Sequence, residues 1–170
     1  MSENLIELFR HNVWATQRLF DACAGLSDAQ LDATAGGTFG SIRDTLMHIV
    51  GAQDRIVTAL AEHESAHVSR EREPFPGVAA LGDAVRTSGD ALVELAARAQ
   101  SGATATTTWR GEEFILPVWL LLLQAITHAT EHRTQVAAIL TQQGIQPPGM
   151  DGWTYHETLF DGDWSQLWAW

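Results

Sequence analysis

The sequence predicts an all-α fold, a four-helix bundle, on three observations. Apolar residues recur at helical spacing in four long stretches, Ser precedes Gln or Asp at capping-box spacing, and Gly and Pro fall where the stretches end. The first helix follows Ser2 and carries Leu5, Phe9, Val13, Phe20 and Cys23 on one stripe, closing near Gly25. Asn12 and Thr16 interrupt that stripe, and Trp14 projects to the opposite side, where a lone bundle prefers charge. Ser27 with Gln30 marks a short helical turn, after which Gly36 and Gly37 break the chain. Ser41 with Asp44 opens the second long helix, which runs to about His63 through Ile42, Leu46, Ile49, Gln53, Ile56 and Leu60.

From Glu64 to Gly77 the composition turns to Glu, Arg, Ser and Pro, a solvated connection long enough to cross a bundle, so the next helix need not be antiparallel. That third helix spans about Ala79 to Gln100 on Leu81, Val85, Leu92 and Leu95, with Gly82 and Gly89 weakening its regularity. The Thr-rich stretch from Thr104 to Leu116 has strand-like residues around Arg110 and Gly111 and suits a small hairpin. Pro117 suits the first turn of a fourth helix that reaches Gln143, where Gly144, Pro147 and Pro148 stop it. The bundle therefore occupies about 3–145 of a single domain, 1–170, with a Trp-rich tail from 150 to 170. A chain of 170 residues buries roughly 70% of its unfolded surface and needs no covalent staple.

Charge narrows the partners. Ten Arg and no Lys stand against 21 acidic residues, for a net charge of -11, so a phosphate backbone is not an expected partner. An anionic membrane surface would repel the chain, and its longest apolar run, Val118 to Leu123, is far short of a spanning helix. Glu3 and Glu7 stand where a signal peptide would be basic, and the single Cys23 cannot close an intrachain disulfide, so a cytoplasmic protein is expected. Cys23 lies on the apolar stripe and reads as a small core residue rather than a nucleophile.

The chemistry rests with histidine. Pairs four residues apart occur at His63/His67 and His128/His132. One sector of the fourth helix presents Leu121, Gln124, His128, Glu131, His132, Gln135 and Ile139, a polar island bracketed by apolar residues. Two imidazoles one turn apart on a buried face can converge on one cation, and hydrogen-bonded core histidines are the bland alternative. A third ligand must come from another helix. His48 suits it, beside the small residues Thr45 and Ala52, although periodicity sets it at the edge of its stripe and permits an inward position without requiring it. Three imidazoles would leave one coordination position open for water or substrate.

Two motif matches are weaker than they look. The zincin pattern at His63 to His67 runs into a charged loop with no apolar surround. The inverted pattern at His128 to His132 lends only its geometry, in a helical chain too small for that protease class. Glu131 is its candidate catalytic base, able to polarise a metal-bound water, with a surface or supporting role equally open. A di-iron bundle needs Glu three residues before a His on two helices, whereas Thr45 and Ala129 hold those places.

These residues resemble the DinB-like (DinB/YfiT) superfamily of bacterial four-helix metal-binding proteins over roughly Leu5 to Asp151. The marks are NVWAT at Asn12 to Thr16, GSIRDTLMHI at Gly40 to Ile49, and HATEHRTQVAAILTQQG from His128 followed by Pro147, Pro148 and Asp151. The resemblance implies an up, down, down, up topology and a metal triad of His48, His128 and His132. It also implies a thiol-dependent S-transferase or isomerase that uses mycothiol, bacillithiol or another low-molecular-weight thiol. The family commonly has Gly where this chain has Thr134, and an aromatic residue or His where it has Glu131. Imidazole ligands suit zinc or nickel, and a divalent ion would present a bound thiol as thiolate. The rival expectations are a metal- or small-ligand-binding protein without turnover, and a metal-dependent hydrolase. The apolar first half of the fourth helix, together with Trp14, leads to the expectation of a homodimer, unless Trp164, Trp168 and Trp170 cover that surface.

Overall fold

The computed structural model describes residues 3–61, 70–109 and 111–159. Among them are six α-helices: α1 (Glu3–Cys23), α2 (Asp28–Leu31), α3 (Ile42–Leu60), α4 (Val78–Arg98), α5 (Val118–Gln142) and α6 (Gly152–Leu159). The fold is mostly helical. Strands β1 (Thr104–Trp109) and β2 (Glu112–Pro117) form the expected antiparallel hairpin between α4 and α5, with Thr104 opposite Pro117 and Thr107 opposite Phe114. His63, His67, Arg110, Trp164, Trp168 and Trp170 lie outside the described residues.

The four long helices enclose the core. α1 packs on α4 and α5, and α3 packs on the same two. One apolar cluster joins Leu19 and Phe20 to Leu46, Val50, Leu81 and Val136. A second joins Phe9 to Ile56, Leu92 and Leu122. Both anticipated capping boxes are formed, Ser27 with Gln30 at α2 and Ser41 with Asp44 at α3, which satisfies amide donors that the first helical turns leave open.

Gly82 and Gly89 do not interrupt α4, because tertiary packing overrides their weak helix propensity. A Cβ on Gly89 would lie 2.9 Å from Val13 Cγ2, so the missing side chain lets α1 and α4 approach closely. Gly89→Ala is expected to cost about 1–3 kcal/mol through overpacking, offset by at most about 1 kcal/mol of helix propensity. A lower urea midpoint would show it.

The polar interruptions of α1 have a physical cause. Arg133 Nη1 donates to Asn12 O, Asn12 Oδ1 and Thr16 Oγ1, and its Nη2 donates to Thr130 Oγ1. Arg133 is 3% exposed and the acceptors of its guanidinium are all neutral. Burial lowers its pKa to about 10, so it keeps its charge at neutral pH. Trp14 is covered from within the chain: its ring packs on Tyr155 of α6, 5.0 Å away, with Arg18 over its face. Tyr155 also donates a short hydrogen bond to Glu7, and His11 Nε2 lies 2.9 Å from Met150 O. α6 was not anticipated. Asp151 Oδ1 accepts from the amides of Trp153 and Thr154 and starts it.

Cys23 is fully buried and burial pushes its thiol pKa up to about 12. Native protein at pH 8 is expected to resist a disulfide labelling reagent that reacts at once with the unfolded chain. Rapid native labelling would contradict that placement.

Candidate metal centre

The capping box of Ser41 and Asp44 fixes where α3 begins, and His48 follows almost two turns later. On α5, His128 and His132 are one turn apart on the face turned to α3. The three imidazoles meet there: one ligand nitrogen from each lies within 4.8 Å of the others. His48 Nε2 and His128 Nε2 are 3.0 Å apart, and the ring centroids are separated by 4.4 to 4.8 Å. His132 is buried, while His48 and His128 are half-buried.

The far nitrogens of two rings are held. His48 Nδ1 is 3.0 Å from Glu71 Oε1, and His132 Nδ1 is 2.9 Å from Gln135 Oε1. Each acceptor holds the proton on Nδ1 and leaves a lone pair on Nε2, the tautomer that a metal ligand needs. Gln135 Oε1 also accepts the amide of Phe39, 3.0 Å away. The Phe39 ring stacks on His48 at 4.1 Å between centroids and meets His132 edge-on.

Glu71 comes from the connection expected to be merely solvated. Residues Arg70–Arg72 instead form a 3-10 turn packed on α3. Arg70 pairs with Asp54 at one end of that contact, and Arg55 Nη1 bonds both Glu71 oxygens at 3.1 and 3.2 Å. Gly51 makes the room, since a Cβ there would lie 2.9 Å from Glu71 Oε2.

Burial disfavours the charged forms of His48 and His128. Desolvation, reinforced by the neighbouring imidazoles His132 and His48, lowers the pKa of His128 to about 4. Desolvation also lowers that of His48, against its hydrogen bond to Glu71, which raises it. The donor set fits a divalent ion. Two nitrogens each bound at about 2.0–2.1 Å to a tetrahedral ion lie roughly 3.3 Å apart, close to the spacing of His48 and His128.

A cavity of about 410 Å3 opens beside the cluster, between α3, α5 and the hairpin. His48 and His128 line it, whereas Phe39 and His132 do not. Its walls include Ala52, Ile56, Phe114, Leu116 and Leu121, with Arg55, Thr107, Thr108 and Gln124 as polar members.

The structure thus brings together His48, His128 and His132. Glu131, a quarter turn away on α5, is exposed and is not among the cavity's lining residues. Glu71, Phe39 and Arg55 escaped the sequence reading. The one local signal for Glu71 was Gly51 inside a helix, where Ala would otherwise be favoured.

A mostly helical fold with three imidazoles facing one another between two helices defines a small helical protein with a candidate metal centre. The chain belongs to the DinB family, whose model matches residues 1–163. Among solved structures it is similar to a DinB-like protein from Bacillus cereus ATCC 10987, at 21% identity and a TM-score of 0.64. That match covers 86% of this chain and 95% of the other. Identity that low speaks for the fold alone. No curated protein matches the chain.

Proposed function

We propose that this chain is a metal-dependent S-transferase or isomerase that uses a low-molecular-weight thiol such as mycothiol or bacillithiol, with His48, His128 and His132 holding a zinc or nickel ion. The observation that carries the reading is the pair of held rings: Glu71 behind His48 and Gln135 behind His132 leave two Nε2 lone pairs beside His128. When bound, a divalent ion lowers the pKa of a thiol and presents it as thiolate. The chain's own residues do the rest. His48 and His128 line the cavity and Phe39 covers the rings from elsewhere, which supports access from the cavity side. Ile56, Leu116 and Leu121 give that end of the cavity an apolar wall.

The test is elemental analysis after purification without a chelator, followed by assay of mycothiol, bacillithiol and glutathione against electrophiles. Stoichiometric metal with thiol turnover is expected. Metal without turnover favours the rival, a metal- or small-ligand-binding protein whose ion ties α3 to α5, a reading to which buried His132 lends support. The hydrolase reading needs Glu131 as base and draws no support from its exposed carboxylate.

We read the chain as one cytoplasmic domain, with a bundle over about 3–145 and a tail from 150, running up, down, down, up. The two apolar clusters support those directions. Leu46 and Val50 meet Leu81 and Val85 in one, and Ile56 and Ala59 meet Leu92 and Ala96 in the other, as parallel α3 and α4 require. Among the described residues no helix is long and apolar enough to cross a membrane. A homodimer would cover the exposed Leu5 and Leu8 of α1 and Trp119 and Leu123 of α5. With Trp14 already packed on α6, these four exposed side chains carry the dimer reading. Light scattering that gives a monomer mass at micromolar concentration would overturn it.

A further inference from the structure

The cavity beside the imidazoles has an uneven lining. Among the described residues Arg55 is its one permanently charged side chain, in a protein whose net charge is -11. Glu71 engages Nη1 of that guanidinium, and among the described residues no acceptor is bound to its Nη2 or Nε. Glu71 Oε1 also takes His48 Nδ1, so the guanidinium is held beside the His48 ring rather than at the far end of the cavity. Away from that corner the wall is apolar: Ile56 from α3, Leu121 from α5, Phe114 and Leu116 from β2. A volume of about 410 Å3 is at the small end of those that enclose organic ligands.

We propose that the cavity binds an amphipathic carboxylate, with its anionic end on Arg55 at the histidine corner and its apolar body against Ile56, Phe114, Leu116 and Leu121. The geometry favours this class over a cation, which Arg55 repels, and over a wholly apolar molecule, which leaves the free donors of the fork desolvated. A planar fork with two nitrogens left, Nη2 and Nε, suits a carboxylate in particular. The proposal deepens the reading of the metal site and rests on it only for what an ion held at that same corner does to the bound ligand.

The test uses the full chain and three probes of one shape: 4-phenylbutyrate, 4-phenylbutanol and 4-phenylbutylamine. Calorimetric titration is carried out on protein loaded with zinc and on protein stripped by chelator. The carboxylate is expected to bind at least about tenfold more tightly than the alcohol in both forms, with the amine weakest. Arg55→Gln is expected to bring the carboxylate down to the alcohol's affinity in the stripped form. The proposal is overturned if the alcohol or amine binds as tightly, if no probe binds, or if Arg55→Gln keeps the preference. A preference seen only with zinc also overturns it, because the anion would then belong to the ion. Comparison of the three probes on the unaltered chain stands even if the variant does not fold. Elemental analysis separates the two readings. A chain that takes up no metal yet keeps the Arg55-dependent preference sinks the metal centre alone, and a chain that binds metal without the preference sinks this proposal alone.

Discussion

His128→Ala is expected to lower the affinity for zinc or nickel by about a hundredfold or more, and His132→Ala to do the same. Supporting contacts behind a ligand are worth roughly 10–100-fold in affinity, and loss of a ligand exceeds that. His128 Nε2 lies 3.0 Å from His48 Nε2, and its removal leaves two nitrogens where the cluster offers three. Being half-buried, it can be truncated without opening a cavity in the main core, and the variant should stay folded by circular dichroism. His63→Ala and His67→Ala should leave metal content unchanged, since their sequence context lacks the apolar surround of the fourth-helix island. Elemental analysis with competition by a chelator measures all four variants. Equal loss in all of them would sink the assignment.

The four long helices and two of the three imidazole positions were legible because local rules decide them. Ser41 with Asp44 makes a capping box from adjacent residues, and His128 with His132 shares a face by arithmetic alone. His48 was legible only as permitted, because its inward position depends on the packing of α3 on α5, which one helix's periodicity does not contain. Asn12 and Thr16 were visible as polar interruptions, but their partner Arg133 lies over a hundred residues away and its burial is a tertiary fact. Phe39 follows two glycines in a loop, and nothing in that setting tells that its ring lies flat on His48. Glu71 sits in a run of alternating Arg and Glu that reads as a solvated surface. What distinguishes it is the absent Cβ of Gly51, twenty residues upstream.

That glycine allows the role of Glu71 to be tested apart from folding. In Gly51→Ala the new Cβ would meet the Glu71 carboxylate at 2.9 Å, the far end of a flexible side chain, which can swing away at little cost. The helix itself should gain up to about 1 kcal/mol, since Ala replaces Gly in the interior of α3. The metal-free melting temperature is therefore expected to hold or rise. Affinity for the ion should fall about 10–100-fold, because His48 Nδ1 loses the carboxylate that orients its ring and fixes its tautomer. Glu71→Gln provides the complementary case: the amide oxygen can still accept from Nδ1 while the charge that raises the ligand's basicity is gone, so a smaller loss is expected. A melting curve on the stripped protein and a chelator competition on the loaded one give both quantities for each variant. If Gly51→Ala binds metal as tightly as the unaltered chain, the contact from the 3-10 turn serves packing of the second connection, and His48 is oriented by the stack with Phe39 instead.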